Sequence, residues 1–114
     1  MGEENIYALL EGFARPGALK RGAQESLVSI QGGLACLVIV AGDAQAEIQQ
    51  FILGQARLKG VPSLTVPEGR RLGRASGLRV GASAVAVLDP ELAGKILQKN
   101  RGYTCVAPTP KLPL

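Results

Sequence analysis

The chain has 114 residues, a size that supports one domain, and 46% of them are hydrophobic, enough for a packed core and too many for a disordered protein. A net charge of +4 suits a nucleic-acid partner, whereas aromatics at 4% with no Trp argue against modules that stack bases on exposed rings. Two isolated cysteines, no histidine and no paired carboxylates make neither a disulfide framework nor a metal or acid–base centre, so a reducing cytoplasm, no cofactor, no metal and no enzyme activity are expected.

The first residues, Met1 to Asn5, are acidic and polar, unlike a signal peptide. A helix is expected over Asn5–Ala14, where Ile6, Leu9, Leu10 and Phe13 recur at helical spacing before Pro16-Gly17 stops them. Ala18–Arg21 reads as short and extended. Ala23–Gln31 reads as a second helix, with Leu27 and Ile30 inward and Gly32-Gly33 as its stop. Leu34–Ala41 is one continuous apolar run and reads as a strand buried on both faces, with Cys36 a small core residue. That run is too short to span a bilayer, so no membrane partner is expected.

Gly42-Asp43 turns the chain into a long helix over Ala44–Lys59, with Ile48, Phe51, Ile52, Gln55 and Leu58 near one face and Gly60 as its end. Asp43 reads as the cap of that helix. Pro62–Val66 reads as a strand, Glu68–Ser76 as a short helix ended by Gly77, and Ala82–Leu88 as another buried strand. Asp89 caps the last helix, Pro90 is its first residue, and Leu92, Ile96 and Leu97 face inward. Alternating helices and buried strands define an α/β fold, a three-layer αβα sandwich. Residues 1–100 form a single domain, and 101–114 form a Pro-rich tail that holds Cys105.

Positive charge gathers in two places. Arg70, Arg71 and Arg74 lie on one short helix, and Arg79 follows in the loop Leu78-Arg79-Val80-Gly81-Ala82. Arginine suits bidentate pairing with phosphate, and small loop residues let a nucleotide approach the backbone. The second place is Lys20-Arg21-Gly22-Ala23-Gln24-Glu25, where a helix start offers free N–H groups to an anion. If the two converge, they form an RNA-reading edge. Plainer roles stand beside these: Glu25 as a first-turn acid that favours the helix dipole, Gln24 and Lys20-Arg21 as solvated surface, Gly73 and Gly77 as packing and capping residues.

Six short segments, in order and spacing, resemble one family. Residues 10–17 (LEGFARPG) resemble a "GLARRAG" ending of a first helix, and residues 37–44 (LVIVAGDA) resemble "LVIIAEDA". Gly22-Ala23-Gln24-Glu25 stands where kink-turn binders carry Gly-x-Asn-Glu. Residues 72–77 (LGRASG), 84–89 (AVAVLD) and 95–97 (KIL) resemble "LGRALG", "VAIxD" and "KKIL". The family is the L7Ae/L30e superfamily of RNA-binding ribosomal proteins, and the likeness is nearest to its small bacterial YlxQ-type members.

The resemblance implies a central mixed four-stranded sheet and a non-catalytic protein that binds structured, ribosomal RNA, as part of the ribosome or in association with the transcription machinery. In relatives, the start of the second helix enters a kinked stem at tandem sheared G·A pairs. Asn and Glu read guanine edges there, a Lys one turn later adds a contact, and the loop before the last strand covers an extruded nucleotide. By position, Gln24 takes the Asn role and Glu25 the Glu role, beside Gly22. Leu78, Arg79, Val80, Gly81 and Ala82 correspond to the covering loop, and Lys20 and Arg21 to the basic residues flanking the kink. Two departures bear on this. Gln24 adds a methylene, and Val28 stands where the Lys is expected. They motivate the alternative of a protein-interaction module that has lost kink-turn reading.

Overall fold

The computed structural model describes residues 2–12 and 17–99. Its elements are α1 (Gly2–Gly12), β1 (Leu19–Arg21), α2 (Ala23–Gln31), β2 (Leu37–Ala41), α3 (Ala46–Lys59), β3 (Ser63–Val66), α4 (Gly69–Ala75), β4 (Ala84–Val87) and α5 (Pro90–Lys99). The expected end of the first helix at Ala14, Cys105 and the Pro-rich tail lie outside the described residues.

The strands form one sheet in the order β1-β4-β2-β3. β4 runs antiparallel to both neighbours, and β2 and β3 are parallel, so the sheet is mixed. Side chains alternate across it with period two. Leu37, Ile39, Val85 and Val87 face a core completed by Ile6 and Leu10 of α1, Leu72 of α4, and Leu92 and Ile96 of α5. Val38, Val40 and Ala84 face a second core with Ile30 of α2 and Ile52 and Ala56 of α3. Helices on both faces bury all of β2, which is why its sequence is apolar at every position. The result is the expected three-layer α/β sandwich. Each large aliphatic buried this way contributes about 1.5–3 kcal/mol.

Several boundaries differ from the sequence reading, each for a tertiary reason. β2 starts at Leu37, not Leu34, because the N–H groups of Leu34 and Ala35 both donate to Ser29 O and close the end of α2. Leu34 is left 61% exposed. Cys36 is half-buried at the core's rim, its Sγ donating to Leu88 O at 3.5 Å. α3 starts two residues late, at Ala46, because Gln49 Nε2 donates to Ala44 O at 2.7 Å and holds that residue in the turn. On α3 the buried line runs through Ile52 and Ala56, with Ile48 half-buried, so Phe51 and Leu58 are 55% and 77% exposed rather than inward. β4 is trimmed to Ala84–Val87 because Ala82 N–H bonds Gly69 O of α4 instead of a neighbouring strand.

The strand directions place the ends of β1, β2 and β3 and the start of β4 at one end of the sheet. The starts of α2, α3 and α4 and the 76–83 loop therefore share that end.

Candidate nucleic-acid interface

The two basic segments converge through one strand pair. Arg21 lies opposite Val85 in the β1–β4 ladder, and Gly22 N–H donates to Ala84 O at 2.7 Å. The start of α2 therefore sits beside the point where the 78–83 loop enters β4. Gly22 turns the strand into the helix at φ +102°, a region that side-chain-bearing residues rarely adopt. No side chain caps α2, so its first-turn N–H groups keep their capacity for an anion. Gln24 and Glu25 are exposed on this turn, and Val28 is 58% exposed one turn further on. Lys20 is exposed on the edge strand.

Arg21 is engaged inside the protein. Its Nε donates to Ser76 O at the end of α4, and its guanidinium lies over Gly77, where an added Cβ would stand 3.5 Å from Nη2. Arg21 thus ties β1 to the end of α4.

The loop is folded onto α4 with no spare room. Leu78 N–H donates to Gly73 O at 2.8 Å, and Ala82 N–H donates to Gly69 O at 2.9 Å. A Cβ on Gly73 would stand 2.1 Å from Val80 O. The small size of Gly73 therefore serves loop packing, not approach of a ligand. Arg79, Val80 and Gly81 are exposed, Leu78 is half-buried, and Ala82 is buried in the core.

The arginines of α4 divide. Arg70 and Arg74 are four residues apart and share an exposed face. The Arg71 guanidinium lies over the buried Tyr7 ring of α1. Arg70 lines an open cleft of about 260 Å³ together with Asp43, Ala44, Gly69, Gly81, Ala82 and Ser83.

Asp43 does not cap the helix that follows it, which begins after Gln45 without a side-chain cap. Its Oδ1 instead accepts the N–H of Gly69, 26 residues away, at 2.9 Å. Asp89 does cap its own helix, accepting the N–H of Glu91 at 2.9 Å. Sequence reasoning missed Ser83 and the contacts of Asp43, Arg21 and Arg71, because each joins elements far apart in the chain. Among the described residues, no His, Cys, Asp or Glu cluster of three or more is arranged to hold a metal ion, and no helix is long and apolar enough to cross a membrane.

A mixed four-stranded sheet between two helical layers, with three helix starts and a glycine-bounded loop at one end, defines an L7Ae-like α/β protein. The chain belongs to the ribosomal protein L7Ae/L30e/S12e/Gadd45 family, whose model matches residues 4–97. Among solved structures it is similar to a 15.5 kDa RNA-binding protein of Giardia lamblia, at 28% identity and TM-score 0.79, covering 89% of this chain and 88% of that one. It is also similar to a protein of unknown function from Bacillus halodurans, at 25% identity and TM-score 0.76, covering 83% of this chain and 95% of that one.

Proposed function

We propose that this protein is a non-catalytic RNA-binding protein that docks one end of its sheet onto a kinked, structured RNA, with ribosomal RNA in the cytoplasm as the target. Family membership and the RNA-binding Giardia neighbour support RNA as the partner. The observation that carries the reading is the Gly22–Ala84 bond, which sets the α2 start beside the loop that leads into β4. Gln24 and Glu25 then read base edges, through an amide that both donates and accepts and a carboxylate that accepts. Lys20, Arg70, Arg74 and Arg79 meet phosphates. Leu78, Arg79, Val80 and Gly81 cover a nucleotide that leaves the stack, while Arg21, Gly22 and Ala82 shape the backbone beneath. The motif spacing favours a YlxQ-type member acting with the ribosome.

The test is a binding titration at two salt concentrations. It compares a kink-turn RNA, the same RNA with its G·A pairs made Watson–Crick, and a plain duplex. Preference for the kinked RNA is expected. Equal, salt-fragile binding to all three would sink kink-turn reading. A second reading, an interaction module on the ribosome or transcription machinery, is favoured by Val28, 58% exposed at the position where the resemblance implies a Lys. It predicts no preference among the RNAs and retention of a protein partner when RNA is digested.

A further inference from the structure

We infer that Asp43 is a positioning residue for the 78–82 loop, acting through Gly69, and that it works by its hydrogen-bond acceptor rather than by its charge. The consequence for RNA rests on the function proposed above, whereas the consequence for the loop does not.

The bonding runs through a single residue. Asp43 Oδ1 accepts the N–H of Gly69 at 2.9 Å, and the Gly69 carbonyl accepts the N–H of Ala82 at 2.9 Å. A Cβ on Gly69 would stand 2.8 Å from Ala82 O and 3.2 Å from Asp43 Oδ1, so glycine is what lets both sides close in. Gly81 also packs closely, its own Cβ position 3.3 Å from the backbone of Arg70. The loop's exit thus follows the first turn of α4, and Asp43 locates that turn. No side chain of its own caps α4, whose N-cap residue is Glu68. Asp43 supplies from the β2–α3 turn an acceptor for the first of the N–H groups that the start of a helix leaves without an intrahelical partner. The loop's other end hangs from Gly73 O. It is suspended from both ends of one short helix: Asp43 ties the first end to the β2–α3 turn, and Arg21 ties the second to β1.

Charge pulls the other way. The carboxylate shares its cleft with Arg70 and Ser83, at the end of the protein that carries Lys20, Arg70, Arg74 and Arg79. A negative charge beside an RNA phosphate is repulsive. If Asp43 were only a charge, its removal would tighten RNA binding. A positioning role predicts weaker binding when the acceptor goes and separates substitutions of equal charge.

The experiment uses the full chain and three variants, D43A, D43N and D43Q. Asn keeps an acceptor at the same distance without the charge, and Gln displaces it by one methylene. The first readout is amide hydrogen exchange without RNA. D43A is expected to speed exchange at Gly69 and Ala82 about tenfold while the amides of Val38 and Ile39 keep their protection. D43N is expected to match the native protein, and D43Q to fall between. The second readout is affinity for a kink-turn RNA, expected to drop about tenfold for D43A, with an unchanged salt slope, and to hold or rise for D43N.

Unchanged exchange at Ala82 in D43A, tighter RNA binding by D43A, or a D43N that behaves as D43A would each overturn the inference. Should D43A lose its fold, the comparison of D43N with D43Q decides in its place. A native protein that ignores RNA would overturn the proposed function alone, and the exchange readout would still decide the role of Asp43.

Discussion

The guanidinium carbon of Arg71 lies 4.2 Å from the centroid of the Tyr7 ring. Tyr7 is 3% exposed on α1, so this contact draws Arg71 towards the helical layer that α1 and α4 share. The three arginines of α4 are therefore not equivalent. An R70A/R74A double variant should bind RNA more weakly and show a salt slope lower by about two, one for each lost phosphate contact. R71A should keep the affinity and lose about 0.5–1 kcal/mol of stability, the size of an exposed cation–π contact. Titrations across salt and denaturant unfolding measure the two effects. An R71A protein as weak on RNA as the double variant contradicts the division.

Glycine-to-alanine changes on two helices should act with opposite sign. At Gly73 the new methyl would meet Val80 O at 2.1 Å and the Gly81 backbone at 2.9 Å. Overpacking of this kind costs about 1–3 kcal/mol, and relief by shifting the loop would displace the surface proposed to cover RNA. At Gly54, within α3, nothing lies within 4 Å of the new methyl. Removing backbone freedom there should stabilise by about 0.4–1 kcal/mol. Paired unfolding curves check both signs, and a neutral G73A would refute the close packing of loop on helix.

Gln24 and Val28 mark where this chain departs from the Gly-x-Asn-Glu and Lys pattern that the resemblance implies. A Q24N/V28K variant should bind a kink-turn RNA more tightly, by about 1–3 kcal/mol for a well-made polar contact, with a salt slope higher by about one. Both residues are exposed, so the folded state should hardly change. A variant with no gain on the kinked RNA would favour the interaction-module reading.

The exposed apolar side chains of α3 should be cheap to replace. F51S and L58Q are each expected to shift unfolding stability by no more than about 0.5 kcal/mol, as surface changes do. I52A, one position from Phe51, should cost about 2–5 kcal/mol because Ile52 is fully buried. A large loss from F51S would show that α3 has the orientation the bare periodicity implied.

The pattern of local residues alone settled the alternation of helices and strands, the burial of β2 and β4, the cap at Asp89 and the end of α3 at Gly60. Each depends on neighbours within a few positions, where periodicity and turn chemistry act. The same local pattern carried the family likeness, because motif order survives in the chain whatever its shape. It did not determine which of two apolar lines on α3 meets the sheet, since 48, 51, 52, 55 and 58 span a broad arc and only the packing against Val38 and Val40 selects Ile52 and Ala56. Nor did it determine the partners of the charged residues. Asp43 looked like the cap of the next helix and instead serves a helix 26 residues on. Arg21 read as a solvated or phosphate-facing residue, and its Nε also holds Ser76 O. Hydrogen bonds and cation–π contacts act over a few ångströms, so elements distant in the chain meet only once the sheet order β1-β4-β2-β3 has brought them together.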